Sequence, residues 1–181
     1  MESKKLLIID DDENILHLMA ICLQRWGYRV WMASDGKAGL QLAQEHIPDV
    51  IILNIVMPGM NGQQVLRELI WRGSTSKVII ETAIRDLNFA MMMIQNGACD
   101  YLVQPLESLH QLYISVQRAV KLKEAEDTIR SNNEKISQFS EQMDILKGEN
   151  EILKSQADLI LEENCQTIKA QIENMSAGEE R

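Results

Sequence analysis

An α/β fold with a parallel sheet follows from three observations. The chain opens with five short apolar runs, a helical pattern follows each one, and each run is apolar on both of its faces. Leu6-Leu7-Ile8-Ile9 is the first strand, and Ile15, Leu18, Met19, Cys22 and Leu23 then keep helical spacing over 13–25. Tyr28–Met32 reads as the second strand and 36–45 as the second helix. Val50-Ile51-Ile52-Leu53 is the third strand, followed by a Pro-Gly loop and a helix over 62–72. Val78-Ile79-Ile80 precedes a helix over 86–96, and Tyr101-Leu102-Val103 precedes one that starts near Glu107. Five such units within 1–118 fit a flavodoxin-like doubly wound, five-stranded parallel sheet.

From Leu122 the pattern changes to a heptad with no proline. Position a holds Leu122, Ile129, Ile136, Met143, Asn150 and Ala157. Position d holds Ala125, Asn132, Phe139, Leu146, Leu153 and Ile160. A narrow a/d seam with charged flanks predicts a long C-terminal helix in a parallel dimeric coiled coil, and Asn150 at an a position favours an in-register dimer. Leu161, Ile168 and Met175 continue the spacing four residues out of phase, which is a stutter. The alternative is one amphipathic helix folded back on the globular domain. At about 1.5 Å per residue, 122–175 would span roughly 80 Å, which exceeds such a domain. The expected organisation is a globular domain over 1–120, a coiled-coil helix over 121–175 continuous with the fifth helix, and a frayed tail over 176–181.

Charge and composition narrow the function. The net charge is −9, with thirteen acids and ten bases in 1–118 against fourteen and eight in 119–181. An acidic tail repels phosphates, so direct nucleic-acid binding is not expected. The apolar runs are too short for a membrane span, and the start lacks a signal peptide, so cytoplasmic residence is expected. Cys22, Cys99 and Cys165 form neither a CxxC pair nor a zinc pattern.

In a doubly wound sheet the carboxyl ends of the strands form the ligand-binding rim. Here that rim gathers Asp10-Asp11-Asp12, Asn54, Glu81-Thr82-Ala83 and Gln104-Pro105. Clustered carboxylates suit a hard cation such as Mg²⁺, although an acidic triplet also serves as a helix N-cap, a role that suits Asp11 or Asp12.

Four ordered motifs resemble the receiver domain of two-component response regulators across 4–118. They are Leu-Leu-Ile-Ile-Asp-Asp-Asp-Glu-Asn, Met-Pro-Gly-Met-Asn-Gly, Thr82-Ala83 and Gly-Ala-Cys-Asp-Tyr-Leu-Val-Gln-Pro. The resemblance implies that Asp10 and Asp11 match the Mg²⁺-holding acidic pair and that Asn54 falls on the phosphoacceptor aspartate. It also implies that Thr82 and Tyr101 match the switch residues, that Gln104 falls on the phosphoryl-neutralising lysine, and that Pro105 takes the family's cis-proline position.

Two key positions depart from that pattern. Asn54 supplies no carboxylate nucleophile, and Gln104 supplies no positive charge. The paired loss leaves the local charge balanced, and the two amides are expected to hydrogen-bond where a salt bridge would otherwise sit. Drift at an unselected site is the alternative. With one anionic ligand gone, Mg²⁺ binding is expected to be weak or lost, with the Asn54 carbonyl as a remaining ligand.

The leading expectation is a phosphorylation-independent pseudo-receiver, not an enzyme. It would act as a signalling, dimerisation and protein-interaction module coupled to an output domain or partner through the coil. Met91 and Met92 on the fourth helix are expected to offer a docking surface, unless the methionines pack in the core. The alternative is a phosphorylation-competent response regulator carrying an introduced Asp-to-Asn substitution at position 54. A Mg²⁺-dependent phosphate enzyme is a third reading, weakened by the missing nucleophile and the lack of a phosphate-binding glycine loop.

Overall fold

A computed structural model describes residues 3–106 and 108–178, with the side chains of 168 and 170–178 outside the description. The expected helix start at Glu107, the later seam residues Ile168 and Met175, and the tail beyond Gly178 therefore lie outside the described residues or side chains.

The elements alternate as expected: β1 Lys5–Ile9, α1 Glu13–Arg25, β2 Arg29–Ala33, α2 Gly36–His46, β3 Val50–Leu53, α3 Gly62–Trp71, β4 Lys77–Thr82, α4 Leu87–Gln95, β5 Ala98–Val103 and α5 Leu109–Gly178. The sheet order is β2-β1-β3-β4-β5, and every pairing is parallel. Successive side chains leave opposite faces, so each strand feeds two cores. Leu7, Ile9, Ile51, Leu53, Val78 and Ile80 pack under α2, α3 and α4. Leu6, Ile8, Val50, Ile52 and Ile79 pack under α1 and α5. Apolar runs buried on both faces are what a parallel sheet covered by helices requires.

Local chemistry sets the helix starts. Asp12, Asp35, Asn61 and Asp86 each accept backbone N–H bonds as N-caps. Asp12, rather than Asp11, caps α1. Asn61 and Gln64 form a reciprocal capping box at α3.

β5 is longer than its apolar run. It includes Cys99 and Asp100, with a register irregularity opposite Val78/Ile79. Asp100 is tolerated there because its carboxylate accepts a 2.8 Å bond from the Ser115 hydroxyl.

The chain divides into two compact units, Met1–Thr128 and Ile129–Arg181. The first passes the boundary at 120 read from the sequence. Glu124 pairs with Lys4 and Glu126 with Lys77, which ties this stretch of α5 to the globular unit, while the buried Lys123 pairs with Asp127 one turn along the same helix. In the second unit, Ile129, Ile136, Phe139, Met143, Leu146, Asn150, Leu153 and Ile160 are all exposed on the helix of this single chain.

Candidate functional site: an amide-filled acidic corner

The site lies at the carboxyl ends of β1, β3, β4 and β5. Asp10 follows β1 and is buried, while Asp11 beside it is exposed. The N–H of Asp12 donates to Asp10 Oδ1 at 2.9 Å. Asn54 follows β3 and is 8% exposed. Its backbone is held from two sides. Its N–H donates to Ile9 O, and α3 starts so close that a Cβ on Gly62 would stand 2.1 Å from Asn54 O. Only glycine fits there.

The Asn54 amide has one permitted orientation. Oδ1 accepts the Val56 N–H at 3.2 Å, while Nδ2 donates towards Asp10 Oδ1 and Asp11 Oδ1, each at 3.2 Å, and Val56 O at 3.1 Å. A flipped amide would set its oxygen against three acceptors and its nitrogen against a donor. The sequence expectation left the Asn54 carbonyl oxygen as a metal ligand; in this arrangement the Val56 N–H takes one of that oxygen's two lone pairs. An N–H₂ group directed at both carboxylates is the opposite of what an oxygen-ligated hard cation needs. As arranged, an amide N–H₂ group stands where a third oxygen ligand beside Asp10 and Asp11 would be needed, which is a poor fit to Mg²⁺.

Gln104 closes the other side. Its Nε2 donates to Glu81 Oε2 at 2.5 Å and, more weakly, to Asp10 Oδ2 at 3.5 Å. The peptide bond from Gln104 to Pro105 is cis. The expected direct bond between the amides of Asn54 and Gln104 is not formed. Instead each amide donates to carboxylates, and Asp10 accepts from both. A donor finds a stronger partner in a carboxylate than in another amide's carbonyl.

Glu81 lies on the rim read from the sequence but has no role assigned there, and it is the acceptor that Gln104 finds. It is the penultimate residue of β4, after a buried apolar run, and is 2% exposed. Burial pushes its carboxyl up to about 7, against the Gln104 hydrogen bond that favours the charged form, and the Asp10 charge pushes the same way as burial. Burial likewise raises Asp10, opposed by its bonds from Asp12 and Asn54. The available signal was a charged residue closing a β4 run that is otherwise apolar from Val78.

Thr82 and Tyr101 meet through one backbone unit. Thr82 is fully buried, and its hydroxyl oxygen accepts the Ile84 N–H at 3.4 Å. Tyr101 donates its O–H to Ile84 O at 2.7 Å and is half-buried, with burial raising its pKa. Gln104 N–H donates to Thr82 O at 2.8 Å. The β4–α4 loop and the segment after β5 are therefore tied to the acidic corner. On α4, Met91 and Met92 are exposed and Met93 is buried, so the methionines divide between surface and core.

Known proteins share this architecture. Over 167 residues the chain is 29% identical to the regulatory protein AtoC of Escherichia coli, covering 87% of this chain and 36% of that one. It is 37% identical over 102 residues to the transcriptional regulatory protein AfsQ1 of Streptomyces coelicolor, covering 56% and 45%. The chain thus spans less than half the length of these two relatives. Among solved structures, a response regulator receiver domain protein from Clostridium thermocellum superposes with a TM-score of 0.63 at 32% identity, covering 67% of this chain and 98% of that one. A CheY-like receiver domain protein from Methanospirillum hungatei gives 0.65 at 25%, covering 69% and 99%. Residues 6–117 match the response regulator receiver domain, and with the fold and strand-end corner described above, the chain belongs to that family.

Proposed function

We propose that this chain is a phosphorylation-independent pseudo-receiver that works as a signalling, dimerisation and protein-interaction module. The observation that carries the reading is the paired placement of two amides. Asn54 Nδ2 lies against Asp10 and Asp11, and Gln104 Nε2 lies against Glu81 and Asp10. Acyl-phosphate formation needs a carboxylate nucleophile and cationic neutralisation of the phosphoryl oxygens. The amides provide neither, and they donate to the carboxylates that a cation would otherwise bind. Magnesium independence is part of the same proposal.

Output passes through helix α5. A parallel homodimer through the 129–160 seam would let partner binding on the receiver, including on exposed Met91 and Met92, alter the phase or stability of the coil. The support is the heptad spacing of apolar residues exposed in a single chain. Cytoplasmic residence, the absence of direct nucleic-acid contact by the acidic helix, and an output domain or protein partner belong to this reading. The companion role of Glu81 favours it over an introduced substitution at position 54, since Gln104 and Glu81 form a pair that such a change would not create.

Incubation with a small acyl-phosphate donor and Mg²⁺ is the direct test, with intact-mass detection of the adduct. No phosphate should be retained, and stable Asp-linked phosphate would refute the reading. If Asn54→Asp alone restores efficient Mg²⁺-dependent uptake, the introduced-substitution reading replaces it. Sedimentation of the full chain tests the coil separately. A dimer that Leu153→Glu dissociates supports it, and a monomeric wild type removes it.

A further inference from the structure

We infer that the groove between the end of α3 and the end of α4 is a docking site for an acidic, apolar-faced segment of a partner protein, with Trp71 as its anchor and Arg67 as its ionic contact. The inference rests on the interaction-module reading but not on the coiled coil or on Met91 and Met92.

Three observations converge. First, Trp71 is the last residue of α3 and is 81% exposed. The other two tryptophans have ring partners. Trp26 meets Tyr113 edge-on at 5.0 Å, and Trp31 stacks on His46 at 4.4 Å with Arg29 over its ring. Trp71 has no ring partner among the described residues, and Ile70 beside it is half-exposed. A large ring left in water on a structured helix has the character of interface anchors, which are rich in Trp and Arg.

Second, the ring borders a formed concavity. The groove has a volume of about 620 Å³, with Leu66, Ile70 and Trp71 as its apolar part and Gln63 and Gln95 among its polar rim. Gly97 keeps it open. Its φ of +102° suits glycine, and a Cβ there would stand 2.8 Å from Ile70 Cδ1. A groove of this size with a few polar groups at its rim suits the capture of one bulky side chain.

Third, the charge is one-sided. Arg67 is the one charged side chain lining the groove, and it makes no ion pair among the described residues, whereas Arg72 nearby is paired with Glu68 at 3.3 Å. A guanidinium one turn from an exposed indole selects a segment that presents an apolar side chain with a carboxylate beside it.

The test uses the full ¹⁵N-labelled chain and a synthetic helix-forming peptide with leucines at i and i+4 flanked by glutamates. Titration should shift the Trp71 indole and Gly97 amide signals and leave the Trp26 and Trp31 indoles in place. Fluorescence anisotropy of the labelled peptide should show affinity falling roughly tenfold or more in Trp71→Ala. Arg67→Glu should lose the glutamate peptide and gain a lysine-substituted one. Four outcomes overturn the inference: no binding; shifts on another face; equal affinity for both peptides in the wild type; or Trp71 shifts that depend on protein concentration alone, which would make a second copy the occupant. Sedimentation of Trp71→Ala reads the coil independently, so loss of docking and loss of dimerisation are separable.

Discussion

At the carboxyl edge of the sheet, Asp10, Asp11 and Glu81 face amide donors. At the amino edge, Lys4 and Lys77 face Glu124 and Glu126. The amino edge neutralises charge with charge. At the carboxyl edge the Arg85 guanidinium reaches the Gln104 backbone oxygen at 3.4 Å rather than a carboxylate. Amides hold geometry without neutralising charge. The price is paid in protonation, and Glu81 titrates near neutrality while Lys4 is held further into its charged range, chiefly by its Glu124 partner.

The largest effect should come from forcing a charge into the amide-lined edge. Asn54→Asp replaces a donor with a third carboxylate beside Asp10 and Asp11. Without a cation it should lower stability by about 3–5 kcal/mol, the cost of an uncompensated buried charge. Thermal melts with and without Mg²⁺ check this. The variant should regain stability with Mg²⁺, and the wild type should not respond.

The next effect is a pH dependence. The Glu81 carboxyl is about 7 in the folded chain against 4.5 when free, so the folded state binds the proton more tightly. Its contribution to stability is complete below about pH 4.5 and is lost as pH rises through about 7, amounting to at most about 3 kcal/mol. Urea titrations across this window should show the decline, and Glu81→Gln should flatten much of it. An unchanged slope in that variant would assign the dependence elsewhere, with Asp10 next in line because its shift has the same sign.

Gln104→Leu should cost about 1–2 kcal/mol at neutral pH by removing the donor to Glu81, and less near pH 5, where Glu81 is already protonated. Gln104→Lys should do the reverse, drawing the Glu81 pKa down and moving the stability decline to lower pH. Unfolding midpoints at the two pH values distinguish the pair.

The smallest effect belongs to the amino edge. Lys77→Ala breaks a partly exposed pair with Glu126 and should cost about 1 kcal/mol or less, shrinking further in high salt. If it instead matches Asn54→Asp, the contrast between the edges is wrong.

Periodicity made the fold legible. The apolar runs at 6–9 and 50–53, each followed by a helical pattern, read as buried strands, and Asp12 is one of two residues that suit the α1 cap; the caps at Asp35 and Asn61 emerge only in the structure. Less of the site could be read. Asn54 and Gln104 stood out as residue types, yet their partners did not, because hydrogen bonds between Gln104 and Glu81 or Asp10 join residues far apart in sequence. Glu81 was read on the rim but without its partner, and β5 was read short because the bond satisfying Asp100 comes from Ser115 on another element.

The sequence by itself determined the order of strands and helices, the heptad seam and the two missing charges, since these depend on local spacing and side-chain chemistry. Only the tertiary structure decided that the two amides donate to carboxylates rather than to each other, that the Val56 N–H bonds to the Asn54 oxygen, and that Glu81 is buried with them. Those outcomes turn on which groups four separate strand ends bring within about 3 Å, the range in which a donor must choose its acceptor.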